Sequence, residues 1–300
     1  MSYYIRLLYD IEGWAYFNRC VALQKYKPID FCVDIGSNYG DAFKNKKYDL
    51  VLQNAFSYSK PLRECLIKHK YNMILVSVYT VGAGYADSWL DGAIKHSDYV
   101  IVNSISMFEK YGKHPKTFPI SNGVDLDIFK IRKPIEIRKP KVLWVGSIGH
   151  RKIKNYDSII VPLGQMLNND GIQHDFRLVN SCGKDRMNQE QMSYWYNTGN
   201  IYIVASKVEG TPNPLIESSG CGCVPVSTRV GNAPELIKDG YNGYLCDTNI
   251  QSLYEGIKKA ITNYQTLAIN MQQEIQQWNW KIRSQQYYDF FRKVINEKRQ

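Results

Sequence analysis

Four apolar runs in this chain are too uniform to be strands with one wet face: MILVSVY at 73–79, VLWVG at 142–146, IYIVAS at 201–206 and VPVST at 224–228. A strand exposed on one side alternates apolar and polar residues. A strand that is apolar throughout is covered on both sides. Each run is followed by a stretch with helical character, which predicts parallel sheets with helices on both faces, an α/β chain. In the first part, further strands are expected at 5–10 (IRLLYD), 31–35 (FCVDI), 50–53 (LVLQ) and 99–104 (YVIVNS). Helical stretches lie between them: GWAYFNRCVALQKY, 61–70, ADSWLDGAIKH and SMFEKYG.

The pattern stops once and restarts. FKIRKPIEIRKPK at 129–141 has two prolines and six basic residues, a linker composition. After it come strands at 142–146, 176–181, 201–206, 224–228 and in GYLCD, each with its helix. The division expected is a first domain over 1–128, a basic linker over 129–140 and a second domain over 141–278. Two such sheets enclose a cleft, and open parallel sheets bind ligands beyond the carboxyl ends of their strands.

With 300 residues, the chain is long enough for two medium domains. No run of 18 apolar residues occurs, so no membrane-spanning helix is expected. MSYYIRLLYD lacks the design of a signal peptide and reads as a first strand. The expected location is therefore cytoplasmic. The seven cysteines read as small, mostly buried thiols, and neither they nor the five histidines show metal-ligand spacing. No metal is expected. The net charge of +10 is concentrated: residues 131–150 carry five basic and one acidic side chain, and residues 251–300 eight and four. The favoured reading is a solvated linker and a solvated terminal helix. The competing one is a surface for anionic lipid or nucleic acid.

The stretch VEGTPNPLIESSGCGCVPVST holds the densest chemistry. Glu209 follows a strand end. Asn213 then Pro214 suits a helix start, with Asn213 as N-cap, which puts Glu217 about one turn inside. The first amides of a helix carry positive partial charge and suit a phosphate. Gly210, Gly220 and Gly222 permit close backbone approach. Two carboxylates beside an anion-binding helix end fit a sugar nucleotide: hydroxyls for the acids, diphosphate for the amides. The plain alternative is a pair of surface acids that stabilise a helix dipole.

EGTPNPLIE followed by SSGCGCVPVSTRVGNAPELIKDGYNGYL resembles the donor-site signature of retaining glycosyltransferases of family 4. These have the GT-B fold, two Rossmann-like parallel-sheet domains facing across a cleft. DYVIVNSISMFEKYG, ISNGVDLDIF and VLWVGSIGHRKIKNYD resemble further parts of that family, and the likeness is concentrated over 98–247. It implies an acceptor-side first domain, a nucleotide-sugar second domain, and a last helix over 279–300 that returns to the first domain.

Carried over by position, Glu217 matches the glutamate that binds the ribose. Glu209 matches the one near the donor sugar, and Gly210, Thr211, Pro212 and Asn213 match the loop beneath it. Leu215 and Ile216 match residues whose backbone meets diphosphate or ribose. Lys154 matches the basic residue that neutralises the leaving diphosphate, with Lys152 as the competitor because the loop is long. Gly13 matches the glycine turn that faces the donor phosphates. Two departures stand out. Ser147 occupies a place where the family often has arginine, for which Arg151 is a substitute, and TVGAGY follows MILVSVY where a histidine is often found.

The resemblance thus implies retaining transfer from a nucleotide-diphosphate sugar, UDP-sugar first, with no further cofactor. The acceptor expected is a cell-envelope glycan or a lipid, reached by a monomer or weak dimer with peripheral contact at the inner membrane face. Two alternatives remain open on sequence: a phage-type DNA glycosyltransferase acting on a hydroxymethylated base, and a non-catalytic sugar-nucleotide or glycan binder.

Overall fold

The apolar runs do pair as parallel strands, in two sheets. A computed structural model describes residues 2–37, 47–80, 87–110, 114–180 and 186–300. The chain divides into one unit of Met1–Gly123 with Trp280–Gln300, and a second of Val124–Asn279.

In the first unit the strands are β1 (Tyr3–Tyr9), β2 (Phe31–Ser37), β3 (Leu50–Gln53), β4 (Ile74–Tyr79), β5 (Tyr99–Val102) and β6 (Thr117–Pro119). They form one sheet in the order β2-β1-β3-β4-β5-β6, and every pairing is parallel. All six residues of β4 are buried, as a strand covered on both faces requires. The helices are α1 (Ala15–Lys25), α2 (Ser59–Lys68), α3 (Asp87–His96) and α4 (Ile105–Lys110).

The second unit orders its strands β11-β10-β9-β7-β8, again all parallel. They are β7 (Lys141–Ser147), β8 (Gln173–Val179), β9 (Ile201–Val204), β10 (Val224–Thr228) and β11 (Tyr244–Cys246). Around them lie α5 (Val161–Asn169), α6 (Gln189–Tyr196), α7 (Asn213–Gly220), α8 (Ala233–Leu236), α9 (Ile250–Thr262) and α10 (Tyr264–Ile275). A full capping box between Asn188 and Gln191 starts α6, and the Asn249 side chain caps α9.

The final helix, α11 (Trp280–Arg299), is part of the first unit. Trp280, Tyr287, Tyr288, Phe290 and Phe291 all enter that unit's core. The Tyr288 hydroxyl donates to Leu23 O at 2.6 Å, so the buried ring keeps a hydrogen-bond partner. Trp278, two residues earlier than Trp280, packs in the core of the second unit instead.

The basic segment is not the linker that its composition suggests. The boundary falls at Gly123 and Val124, and residues 129–140 are part of the second unit. Phe129 and Ile135 are buried there. Arg138 is buried too, donating to Lys133 O, Gly199 O and the Asn197 side chain. Arg132 pairs with Glu190 and donates to the Ser193 hydroxyl. Two of the segment's cations are therefore taken up inside the unit, against the reading of a wholly solvated linker. Carbonyls and an acid some sixty residues away in sequence provide what water would have provided.

Candidate active site

Apart from Gly13, the candidate residues lie in the second unit, on the loop after β7, the loop after β9 and the helix α7 that follows it. The first loop climbs from Ser147 through a short 3₁₀ turn, Ile148–His150, and ends at Asn155. Asn155 has a left-handed backbone, φ 53°, which asparagine tolerates better than most residues. Its buried amide donates to Ala205 O at 2.7 Å. The Lys207 N–H donates to Ile153 O at 2.9 Å. These two bonds lace the loops together from opposite sides.

Between them the side chain of Lys154 crosses the sheet end. It passes directly over Gly146, where an added Cβ would stand 3.0 Å from Lys154 Cδ. Its Nζ meets Glu209 Oε1 at 2.8 Å, with both side chains less than one-fifth exposed. The Ser206 hydroxyl donates to the same oxygen at 2.7 Å. Ser206 is itself fixed, since Thr228 Oγ1 donates to its carbonyl at 2.8 Å. Glu209 is thus held by a cation and a hydroxyl, and of the two lysines it is Lys154 that reaches it. Lys152 is exposed.

Arg151 is not brought to the Lys154–Glu209 pair. Its guanidinium pairs with Asp157 and lies over the Tyr156 ring, in an exposed position. Ser147 ends β7 and is partly buried.

After Glu209 the chain turns through Gly210, Thr211 and Pro212 into α7. The helix begins at Asn213, so the N-cap is Pro212 and no side chain caps it. Asn213 as N-cap is corrected by one residue. Pro214 has no amide hydrogen, and the Leu215 N–H already donates to Pro212 O at 2.8 Å. The helix start therefore offers fewer free amides to an anion than a start without proline would. Leu215 and Ile216 point inward and are buried.

Glu217 stands in the second turn of α7. Part of its surface remains open, but its carboxyl is closely surrounded, and burial pushes its pKa up to about 7. The Tyr196 hydroxyl donates to Oε2 at 3.0 Å and pulls the other way. Tyr196 ends α6 and is fully buried, and its own pKa is driven well above the ordinary tyrosine value, first by burial and then by Glu217. The close approaches at Gly220 and Gly222 turn out to be internal. A Cβ on Gly220 would stand 2.6 Å from Phe129 O, and Gly222 has φ +88° beside Ile131 and Arg138.

On the first unit, Gly13 does make a turn after β1, with φ 72°. Glycine is the residue that adopts this conformation without strain. Residues 81–86, which hold most of the TVGAGY stretch where the family often has a histidine, lie outside the described residues. The partners that sequence reasoning missed are Tyr196, Ser206, Thr228 and Asn155. Asn155 sits next to Lys154 and Ser206 three residues before Glu209, but nothing in the sequence links Tyr196 to Glu217.

Comparison with known proteins bears on the fold and on the second unit's domain. Residues 182–278 match the family model "Glycosyl transferases group 1". One component of human phosphatidylinositol N-acetylglucosaminyltransferase is 38% identical over 63 residues, 21% of this chain and 13% of that protein. The chain thus matches only a small part of that relative's length. Among solved structures, sucrose-phosphate synthase from Thermosynechococcus elongatus superposes with a TM-score of 0.75 at 16% identity, covering 99% of this chain and 100% of that one. HepE of Anabaena, in complex with UDP, superposes with a TM-score of 0.70 at 15% identity, covering 97% and 100%. Likeness at such identity is a likeness of fold. Residues 182–278 thus match a glycosyl transferases group 1 domain, within a chain whose two Rossmann-like parallel-sheet units match the GT-B fold.

Proposed function

We propose that this chain transfers a sugar from a nucleotide-diphosphate sugar, UDP-sugar first, to a hydroxyl of a glycan or lipid acceptor, with retention at the anomeric carbon. The observation that carries the reading is the Lys154–Glu209 pair at 2.8 Å, which joins the loop after β7 to Glu209, a residue of the matched stretch 182–278 that stands just before the start of α7. Glu217 accepts hydrogen bonds from the ribose hydroxyls. Glu209 orients the donor sugar. Lys154 neutralises the diphosphate as the bond from the anomeric carbon to the phosphate oxygen breaks and its electron pair leaves with the phosphate. The acceptor oxygen bonds to the anomeric carbon, and its proton passes to the departing phosphate. Such a reaction needs charge stabilisation on the leaving group more than a strong nucleophile, and positioned charges in a shielded site provide the largest effect.

The pairing of Lys154 with Glu209 also keeps the site intact before the donor arrives. A shielded lysine without a carboxylate would carry an uncompensated charge. The test is hydrolysis and transfer with UDP-glucose, UDP-galactose, UDP-N-acetylglucosamine and GDP-mannose, with NMR assignment of the product anomer. Turnover of one donor with retained configuration is expected. Inversion would remove the retaining reading, and no turnover or binding of any donor would remove the enzyme reading.

A further inference from the structure

Among the described residues the Thr211 side chain makes one hydrogen bond: its hydroxyl oxygen accepts from Asn232 Nδ2 at 3.1 Å. A hydroxyl that accepts in this way still has its own proton to give. Asn232 is fully buried, and its other amide atom, Oδ1, has no partner among the described residues. An unmet buried acceptor destabilises a fold, and an apolar side chain of the same size would avoid that cost. The amide therefore contributes its Nδ2 contact at the expense of an orphaned oxygen.

The backbone keeps the two residues in place. The Asn232 N–H donates to Gly210 O at 3.2 Å. Gly231 has φ +52°, and a Cβ there would stand 2.2 Å from Gly210 O. Segment 231–232 is thus pressed on segment 210–211, so the amide stays against the hydroxyl. Thr211 is only partly buried, whereas Asn232 is sealed. The direction left for the hydroxyl proton is the open side of the loop.

We propose that Asn232 fixes the Thr211 hydroxyl as a hydrogen-bond donor to an oxygen of the bound nucleotide-diphosphate sugar. Thr211 is then a specificity-determining residue, favouring donors that present an acceptor oxygen there, and Asn232 is its positioning residue. This inference depends on the donor-site reading given above.

The experiment measures calorimetric affinity for UDP and for UDP-sugar, and the KM for UDP-sugar, in wild type, Thr211→Val, Thr211→Ser, Asn232→Ala and the Thr211→Val/Asn232→Ala double variant. Thr211→Val should weaken UDP-sugar binding about tenfold, the size of one well-placed hydrogen bond. Thr211→Ser should restore it. Asn232→Ala should act through the same hydroxyl, so the double variant should be no worse than Thr211→Val alone. A loss confined to UDP-sugar places the oxygen on the sugar, and an equal loss with UDP places it on the diphosphate. Unchanged affinities in Thr211→Val overturn the proposal, as does full additivity of the two substitutions. If Asn232→Ala does not fold, the Val and Ser variants at 211 decide alone. Wild-type protein that binds no nucleotide sugar overturns the donor-site reading itself, which separates that failure from this one.

Discussion

Lys154 Nζ lies 2.8 Å from Glu209 Oε1, although the two residues are fifty-five apart in sequence and come from different strand ends. The pair is largely screened from solvent, so its members do not act as independent surface charges. Removing one leaves the other shielded and unpaired, which is costly. Their consequences for binding and for turnover should nevertheless separate.

Glu209→Gln keeps the shape and the Ser206 hydrogen bond while removing the charge. UDP affinity should stay within about twofold, because the side chain is assigned to the sugar and not to the nucleotide. The rate of transfer should fall by about 10²–10³, the size of losing one preorganised electrostatic contact. Steady-state kinetics paired with UDP calorimetry checks this. Full activity in the variant would make the pair a structural ion pair only.

Lys154→Met should depress both quantities, since the proposed reaction sets the lysine against the diphosphate whether or not a sugar is attached. UDP binding should weaken by about 1.5–3 kcal/mol, the range for hydrogen bonds to charged groups. Lys152→Met, on an exposed side chain, should leave UDP affinity unchanged. Equal losses at the two positions would put the charge in the wrong place.

Glu217 gives a pH signature with a defined sign. Its folded pKa is raised from 4.5 to about 7, so the folded state holds the proton more tightly than the unfolded state. Stability therefore falls as pH rises from about 4.5 to 7, and the full cost is present above 7. At 1.36 kcal/mol per unit the cost is about 3–4 kcal/mol at most, and less to the extent that the side chain is open. Glu217→Gln, which mimics the protonated acid, should melt higher than wild type at pH 8, with the gap closing toward pH 4.5. Nucleotide binding should run the opposite way. The ionised carboxylate is the better acceptor for ribose hydroxyls, so wild-type UDP affinity should rise through pH 7. Glu217→Gln should lose the part of that rise that belongs to the enzyme. Identical pH profiles for the two proteins would detach Glu217 from the ribose.

Much of the fold was legible because uniform apolar strands leave little freedom. β3 and β10 fall on the residues expected, 50–53 and 224–228. β6 was not seen: three residues ending in proline carry no periodicity. α10 was missed although Leu267, Ala268, Met271 and Ile275 share a buried face, because polar residues fill the rest of YQTLAINMQQEI. At the site, Glu209 and Glu217 could be named from their flanking stretch. The choice between Lys152 and Lys154 could not, since it depends on the left-handed turn at Asn155 and its bond to Ala205. Residues 129–140 misled for a related reason. Composition describes how Arg132 and Arg138 behave in water, and their partners, Glu190, Asn197 and Gly199, are distant in sequence.

That reassignment makes its own prediction. Arg138 is buried and donates to two carbonyl oxygens and an amide oxygen, so Arg138→Ala would orphan several acceptors at once. A loss of about 2–4 kcal/mol is expected, the range for breaking a buried polar network. Lys139→Ala, one residue on and exposed, should change stability by less than about 0.5 kcal/mol. Denaturant unfolding of the two variants gives the comparison. Equal midpoints would return the segment to the status of a solvated linker.

The last helix offers the sharpest test of how the first unit is held together. Phe291 is fully buried, in edge contact with Tyr287 and Tyr288 and tilted against Phe290. Tyr288 in turn packs on Phe31, the first residue of β2, and Tyr3 of β1 stacks on the same ring. The C-terminal segment thus closes a core that begins with the third residue of the chain. Phe291→Ala should cost about 3–5 kcal/mol, the range for emptying a phenylalanine site in a packed core. Truncation after Asn279 removes all five aromatics of α11 and should unfold the first unit, while the second unit, which ends at Asn279 and keeps Trp278, retains its own core. Hydrogen exchange separates the two outcomes. Amides of β1 to β5 should lose protection in the truncated protein, and those of β7, β9 and β10 should keep it. A truncated chain with full protection throughout β1 to β5 would show that α11 covers the first unit without holding it together.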